Sequence, residues 1–451
     1  MHITSPRMSA LSRRIRRAAC AAIAGAAVLS AAALTANSAA AAGLLAPATT
    51  AEAASAADAP DFPYAERQRL AGIDLAYLET HLVPRGIDGA SDRLDRAPAA
   101  VPVEIELFSG TSVTLDREDL TEAFGGGFIW SGTVQGDANG FADLVISNDQ
   151  VTGHIQTSDG VFRIDPAPGA GATVHRVVEI DPSEFPEDEV RKARVRAPRS
   201  PGIGIENDGP AAPPANPEAA TIITVLMPYT AQAKQRVGSI QNAANLAIRL
   251  ANRALKVSQV DAAFKLVGTY QVRNYYGPSK KYVSTLKAMT KGNKTFAGVH
   301  RQRDRLNADL VALLRTGDEL CGIAWYVTMP SAATADTGFS VSNVDCIAIQ
   351  VVAHEMGHNA GLNHDRYVSA AAPNSEYNFG FVNLKAKAIS IMAYDYRCYI
   401  NGKKCTTVPM FSTPRVKYLE AYRMGIPKGR KGAADNARRL SETLPAVATY
   451  R

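Results

Sequence analysis

The string AHEMGHNAGLNHD, residues 353–365, constrains this chain more than any other feature. His354 and His358 stand four residues apart, so on a helix their imidazoles leave one face about a turn apart and can meet a single ion. Glu355 sits beside the first of them, in reach of a water polarised by that ion. Three residues after His358 comes Gly361, free to enter the left-handed region, end the helix and bring His364 round as a third ligand. Three neutral nitrogens about 2.0–2.1 Å from one Zn2+ leave a fourth tetrahedral position open, which is the pattern of a catalytic rather than a structural site. Four of the 8 histidines follow residue 218, and three of those four lie in this string; His300, the other, reads as an ordinary polar residue.

With 451 residues, the chain is long enough for two folded units plus processed segments. Arg13, Arg14, Arg16 and Arg17 precede an Ala-rich apolar run to about Leu34 and small residues to Ala42. That pattern predicts a signal peptide over 1–42 and a secreted, extracellular product with no membrane attachment once the signal is gone; the run is shorter than the roughly 20 residues of a span. Cys20 leaves with it. The remaining cysteines, Cys321, Cys346, Cys398 and Cys405, are even in number, which in an exported protein predicts disulfides. Three pairings are open, and Cys321 with Cys346 and Cys398 with Cys405 close the shortest loops.

Charge divides the chain. Residues 43–218 hold 13 basic and 29 acidic side chains, a net of −16; residues 219–451 hold 31 and 14, a net of +17. Halves of opposite sign attract. Residues 43–190 read as an acidic, mainly β region, with alternating segments at 101–108, 141–148 and 151–157 between turn clusters. Residues 191–220, rich in Pro and Gly and opening with basic residues, read as an exposed linker open to proteolysis. Residues 221–451 read as an α/β (α+β) unit: a strand over 221–230, a long amphipathic helix over 231–257, a second strand near 262–272, short apolar runs at 309–314 and 321–327, and a helix over 347–359 that carries the histidines.

Downstream, Ser390-Ile391-Met392-Ala393-Tyr394 is an apolar turn. HExxHxxGxxH followed by this Met392 turn resembles the metzincin zinc peptidases, in which the methionine lies beneath the three histidines. Asp365 after the third histidine is similar to the reprolysin pattern, where the acid braces the active-site helix without binding metal. Tyr394 resembles the astacin and serralysin tyrosine that approaches the metal or the oxyanion. With the TIITVLMPYT strand, PMFSTP and ADNARRL, the whole of 219–451 most resembles bacterial peptidyl-Asp metalloendopeptidases.

The resemblance implies a twisted mixed sheet with an active-site helix above a small irregular lower subdomain, and one catalytic Zn2+ held by His354, His358 and His364. It implies Glu355 as base, Tyr394 as oxyanion donor, and cleavage of protein or peptide substrates on the amino side of acidic residues. Arg397, Lys403, Lys404, Arg415 and Lys417 are candidates to line that subsite. Region 43–190 becomes a pro-domain that docks by charge and inhibits until the linker is cut; without cysteine, it has no thiol to place on zinc. The alternative, a basic secreted protein that binds anionic surfaces or nucleic acid with a non-catalytic metal site, accounts for the charge but not for the histidine string, and no nucleic-acid motif is present.

Overall fold

Alternation builds the first sheet. In Val103–Phe108 the side chains of Val103, Ile105 and Leu107 are buried while Glu104 and Glu106 are exposed, the period of a strand with one wet face. The computed structural model describes residues 43–55, 61–82, 101–181, 184–185, 189–192, 220–369 and 376–451, and the expected signal segment 1–42 and residues 193–219 of the expected linker lie outside the described residues. Nine strands form this sheet: β1 (Leu45–Pro47), β2 (Ala65–Ile73), β3 (Val103–Phe108), β4 (Thr111–Glu122), β5 (Phe128–Val134), β6 (Phe141–Ser147), β7 (Gln150–Gln156), β8 (Val161–Pro166) and β9 (Val174–Ile180). Their order is β1-β2-β9-β8-β7-β6-β5-β4-β3, antiparallel throughout. One face closes over Ile105, Leu115, Trp130, Leu144, Ile155, Ile164 and Val177.

The second sheet joins β10 (Glu189–Lys192), β11 (Thr221–Tyr229), β12 (Ala262–Gln271), β13 (Leu310–Arg315), β14 (Gly322–Tyr326) and β15 (Phe339–Asn343) in the order β10-β14-β15-β13-β11-β12. Every pair is parallel except β14 with β15. β10 runs along the outer edge of β14, from Glu189 opposite Ile323 to Lys192 opposite Tyr326. Arg191 and Lys192, expected in the linker, are therefore strand residues, because an open sheet edge offers unpaired N–H and C=O groups to any extended segment beside it.

Two expected helices are shorter or broken. The helix expected over 231–257 is two, α1 (Ala231–Val237) and α2 (Ile240–Val257), since Thr230 and Ser239 each accept a first-turn N–H, from Ala233 and Asn242. The helix expected from 347 begins later, as α3 (Val351–Asn359), after a 3-10 turn over Val344–Ile349 and a left-handed Gln350. Beyond Gly361 come short strands and α4 (Asn436–Val447), whose Ala437, Leu440, Leu444 and Val447 rejoin the main core. Both local disulfides form, Cys321–Cys346 and Cys398–Cys405. Among the described residues no helix is long and apolar enough to cross a membrane.

The two sheets meet across α2. Residues 43–451 make one compact unit, and a single buried cluster contains Phe141, Val145, Val161 and Val178 from the first sheet with Ala244, Leu246, Ile248 and Leu250 from α2. At its centre Asp143, fully buried, accepts from Arg249 Nε at 3.0 Å and from Arg253 Nε at 2.8 Å, and from the Ser131 hydroxyl. Burial alone would raise this carboxyl, but Arg253 and then Arg249 outweigh it and hold it at about 2. The long-range attraction expected from the charge imbalance is thus concentrated in one buried clamp, set in a largely apolar contact.

Removing one partner of a buried ion pair costs about 3–5 kcal/mol because the other is left uncompensated. Urea unfolding of Asp143→Asn should show a loss of that order, whereas Glu118→Gln, whose carboxylate meets Arg253 while 39% exposed, should cost less than about 1 kcal/mol.

Candidate metal centre and active site

α3 is buried along its whole length, and it presents His354 and His358 one turn apart to the same space. At its end Gly361 adopts φ +93°, and the Gly361 and Leu362 N–H groups donate to His358 O and Gly357 O at 3.1 and 2.9 Å. A side chain at 361 would be strained there. Thr443 Oγ1 of α4 and Asn378 Nδ2 donate to Ala360 O and Gly361 O at 2.7 Å, so the bend is held from outside as well. The chain then delivers His364.

The three imidazoles converge. Nε2 of His358 lies 3.1 Å from Nε2 of His354 and 3.0 Å from Nε2 of His364, and the remaining pair is 3.1 Å apart. Among the described residues this is the one group of three or more His, Cys, Asp or Glu side chains able to hold a metal ion. His354 Nδ1 lies 2.7 Å from Ile391 O and His358 Nδ1 2.8 Å from Leu362 O. A carbonyl only accepts, so each Nδ1 carries the proton and each Nε2 a lone pair. Lone pairs aimed at one another at 3 Å repel unless a cation lies between them. Ligands about 2.0–2.1 Å from a tetrahedral ion stand about 3.3 Å apart, close to the spacing found. The donor set fits a metal ion.

Burial pushes His354 down to about 4, and it pushes His358 and His364 well below the ordinary imidazole value, with the neighbouring rings adding to the shift. All three are therefore neutral near pH 7, as ligands must be.

The flanking residues fall into place around the triad. Met392 is fully buried against Gly357 of α3, and the Ile391 carbonyl beside it orients His354. Tyr394 Oη lies 3.0 Å from His364 Nε2, at the rim of the nitrogen cluster. Asp365 Oδ2 accepts from Tyr394 N at 3.1 Å and Oδ1 from Tyr367 N at 2.9 Å. Burial raises this carboxyl while those N–H groups favour its charged form. Asp365 thus ties the third-histidine segment to the methionine turn, where the resemblance placed it against the helix.

Glu355 is fully buried, and its carboxylate lies against Gly322 of β14, where an added methyl would collide with Oε1. The same strand is locked to α3 by Val327 N donating to His358 O and by Asn359 Nδ2 donating to Trp325 O. Gly322 escaped sequence reasoning because its role comes only from what folds against it. Of the five basic candidates for a subsite, Lys403 donates to Leu384 O, and Arg415 donates to Ser258 O and Gln259 O at the end of α2.

Known proteins are similar to this chain in sequence. The model for reprolysin-like metallopeptidases of family M12B matches residues 219–421. A peptidyl-Asp metalloendopeptidase of Stenotrophomonas maltophilia is 27% identical over 383 residues, covering 80% of this chain and 85% of the relative. One of Xanthomonas campestris pv. campestris is 26% identical over 371 residues, 79% and 83% of the two chains. Metalloproteinase-II from Bacteroides fragilis aligns over 74% of this chain and 88% of its own with 12% identity and a TM-score of 0.40, too slight a likeness to argue from. The chain is accordingly a metalloendopeptidase, similar over residues 219–421 to the reprolysin-like M12B metallopeptidases.

Proposed function

We propose that this chain is a secreted zinc metalloendopeptidase made as a zymogen, with 43–190 as its inhibitory pro-domain, and that it cuts proteins on the amino side of acidic residues. The observation that carries the zinc assignment is the meeting of three Nε2 atoms at 3.0–3.1 Å, two of them with their Nδ1 protons committed to carbonyls. Bound there, zinc would supply Lewis-acid activation of a water and of the scissile carbonyl. Glu355 takes a proton from the attacking water and returns it to the departing amine. Tyr394 donates from its hydroxyl to the developing oxyanion, and Asp365 holds Tyr394 in position through its backbone N–H. Met392 seals the floor against water.

Latency is supported by β10. β14 flanks Glu355 through Gly322, so a pro-segment paired along the free edge of β14 lies where an extended substrate would add as a strand. The two disulfides support export. The name of the relatives, peptidyl-Asp metalloendopeptidase, supports the acidic preference.

Glu355→Gln should keep its zinc and lose turnover by on the order of 10³-fold; retained cleavage of a protein substrate would reject Glu355 as the base. Gly322→Ala should also keep its zinc while displacing the carboxylate, with kcat down by about 10²-fold. Peptide-library profiling of the processed enzyme should return Asp or Glu after the scissile bond, and an apolar preference there would remove the acidic specificity.

A further inference from the structure

The surface by which the first sheet meets the second half interleaves apolar residues with buried polar and charged ones. On β6 to β9 the residues that point away from the sheet's own core include Asp143, Thr152, His154, Gln156, Arg163, Asp165 and Arg176, all buried. These polar positions alternate with Phe141, Val145, Val161 and Val178 on the same face. α2 answers with Asn242, Asn245, Arg249 and Arg253 at helical spacing. The contact is mixed, with Phe141, Val145, Val161 and Val178 in the core shared with α2, and its polar members can be wetted if the two parts separate.

Within that contact His154 stands out. It is fully buried, and neither ring nitrogen makes a hydrogen bond of ordinary geometry. It sits directly across from Asp143 on β6 and from Arg163 on β8, beneath α2. The charged groups around it are Asp143, Arg163 and Asp165 from the sheet and Arg249 and Arg253 from α2, and the two helix arginines also reach Asp119 and Glu118 on β4. Asp143 is already committed to Arg249, Arg253 and Ser131. A proton arriving on His154 therefore adds a cation beside Arg253 and Arg163, where the nearest carboxylates are already shared, Asp143 with the two helix arginines and Asp165 with Arg163.

We infer that His154 is an acid-sensitive latch: its protonation weakens the contact between the β region 43–190 and the catalytic half, so that acidification releases the pro-domain once the linker has been cut. The inference rests on the pro-domain reading above. Burial is the largest cause and pushes the docked imidazole down to about 4; Asp143 comes next and pulls the other way, and Arg253, Gln156 and Arg163 act more weakly, the arginines downward and the glutamine upward. Once α2 has left, the same ring is on a wetted face with its ordinary value near 6.5. The sign follows: the released form takes up its proton as pH falls through 6.5, the docked form only near 4, so docking weakens across that window and no further below it. One such proton lowers the affinity about 30-fold at pH 5 and about 150-fold at pH 4 relative to neutral pH. Asp143, at about 2, stays charged throughout and contributes nothing to this window. His175, also lowered to about 4, bonds inside the first sheet to Val151 N and Thr173 O, so its protonation loosens the sheet itself rather than the contact.

The test uses full-length chain cut once between residues 193 and 219, with association of the two parts measured from pH 7.5 to 4. Wild type should lose about 30-fold in affinity by pH 5, and His154→Gln should lose less than about 3-fold; equal pH dependence in both would overturn the latch. Imidazole NMR of the uncut wild type gives a second readout that needs no variant: the His154 ring should stay neutral to about pH 4.5, and a ring charged at pH 6 would equally overturn it. Peptidase activity of the cut wild type at pH 7.5 separates the two ideas. Full activity with the parts still associated would sink the inhibitory reading alone, whereas low activity with an unshifted His154→Gln curve would sink the latch alone.

Discussion

The structure of the catalytic half turns on converging imidazole lone pairs that a bound cation would satisfy. Three buried imidazole nitrogens point at one another from about 3 Å, and for His354 and His358 the carbonyls of Ile391 and Leu362 rule out the tautomer that would turn the lone pair away. Neither carbonyl is placed by its own side chain. Ile391 O is set by the methionine turn, and Leu362 O by the left-handed Gly361. Asp365 and α4 in turn hold those two segments, so elements far apart in the chain converge on the orientation of two protons.

Much of this was legible beforehand. The spacing of His354, His358, Gly361 and His364 dictates a helix, a stop and a bend, and all three are found. Alternation marked strands at 101–108, 141–148 and 151–157 of the first sheet, 221–230 and 262–272 of the second also read as strands, and the two short-loop disulfides formed. What escaped was tertiary. Ser239 caps a new helix in the middle of an apolar repeat that reads as continuous, and hydrogen bonding of a single side chain overrides that periodicity. Gly322 and the Ile391 and Leu362 carbonyls act through position, which leaves no trace in residue type. β10 carries a linker-like composition because its pairing uses backbone alone.

The acidic and basic halves illustrate how bulk charge becomes structure. Counting charges foretold attraction but not its form. The contact sets Asp143 between two arginines, inside an apolar surround that strengthens the clamp. A face of Thr152, His154, Gln156 and Arg163 would be an odd choice for a permanent core. It suits the release proposed for the first half, and β10 on the edge of β14 extends the same half to the strand that flanks Glu355.

The central claim is that one zinc ion sits among three Nε2 atoms with its last position open. X-ray absorption spectroscopy on the purified chain, loaded to saturation with zinc, tests it most directly. The account predicts one ion per chain with three nitrogen ligands of imidazole type at about 2.0–2.1 Å and one or two lighter oxygen neighbours. A sulfur neighbour, a fourth imidazole in a closed shell, or failure to retain a stoichiometric ion would contradict it.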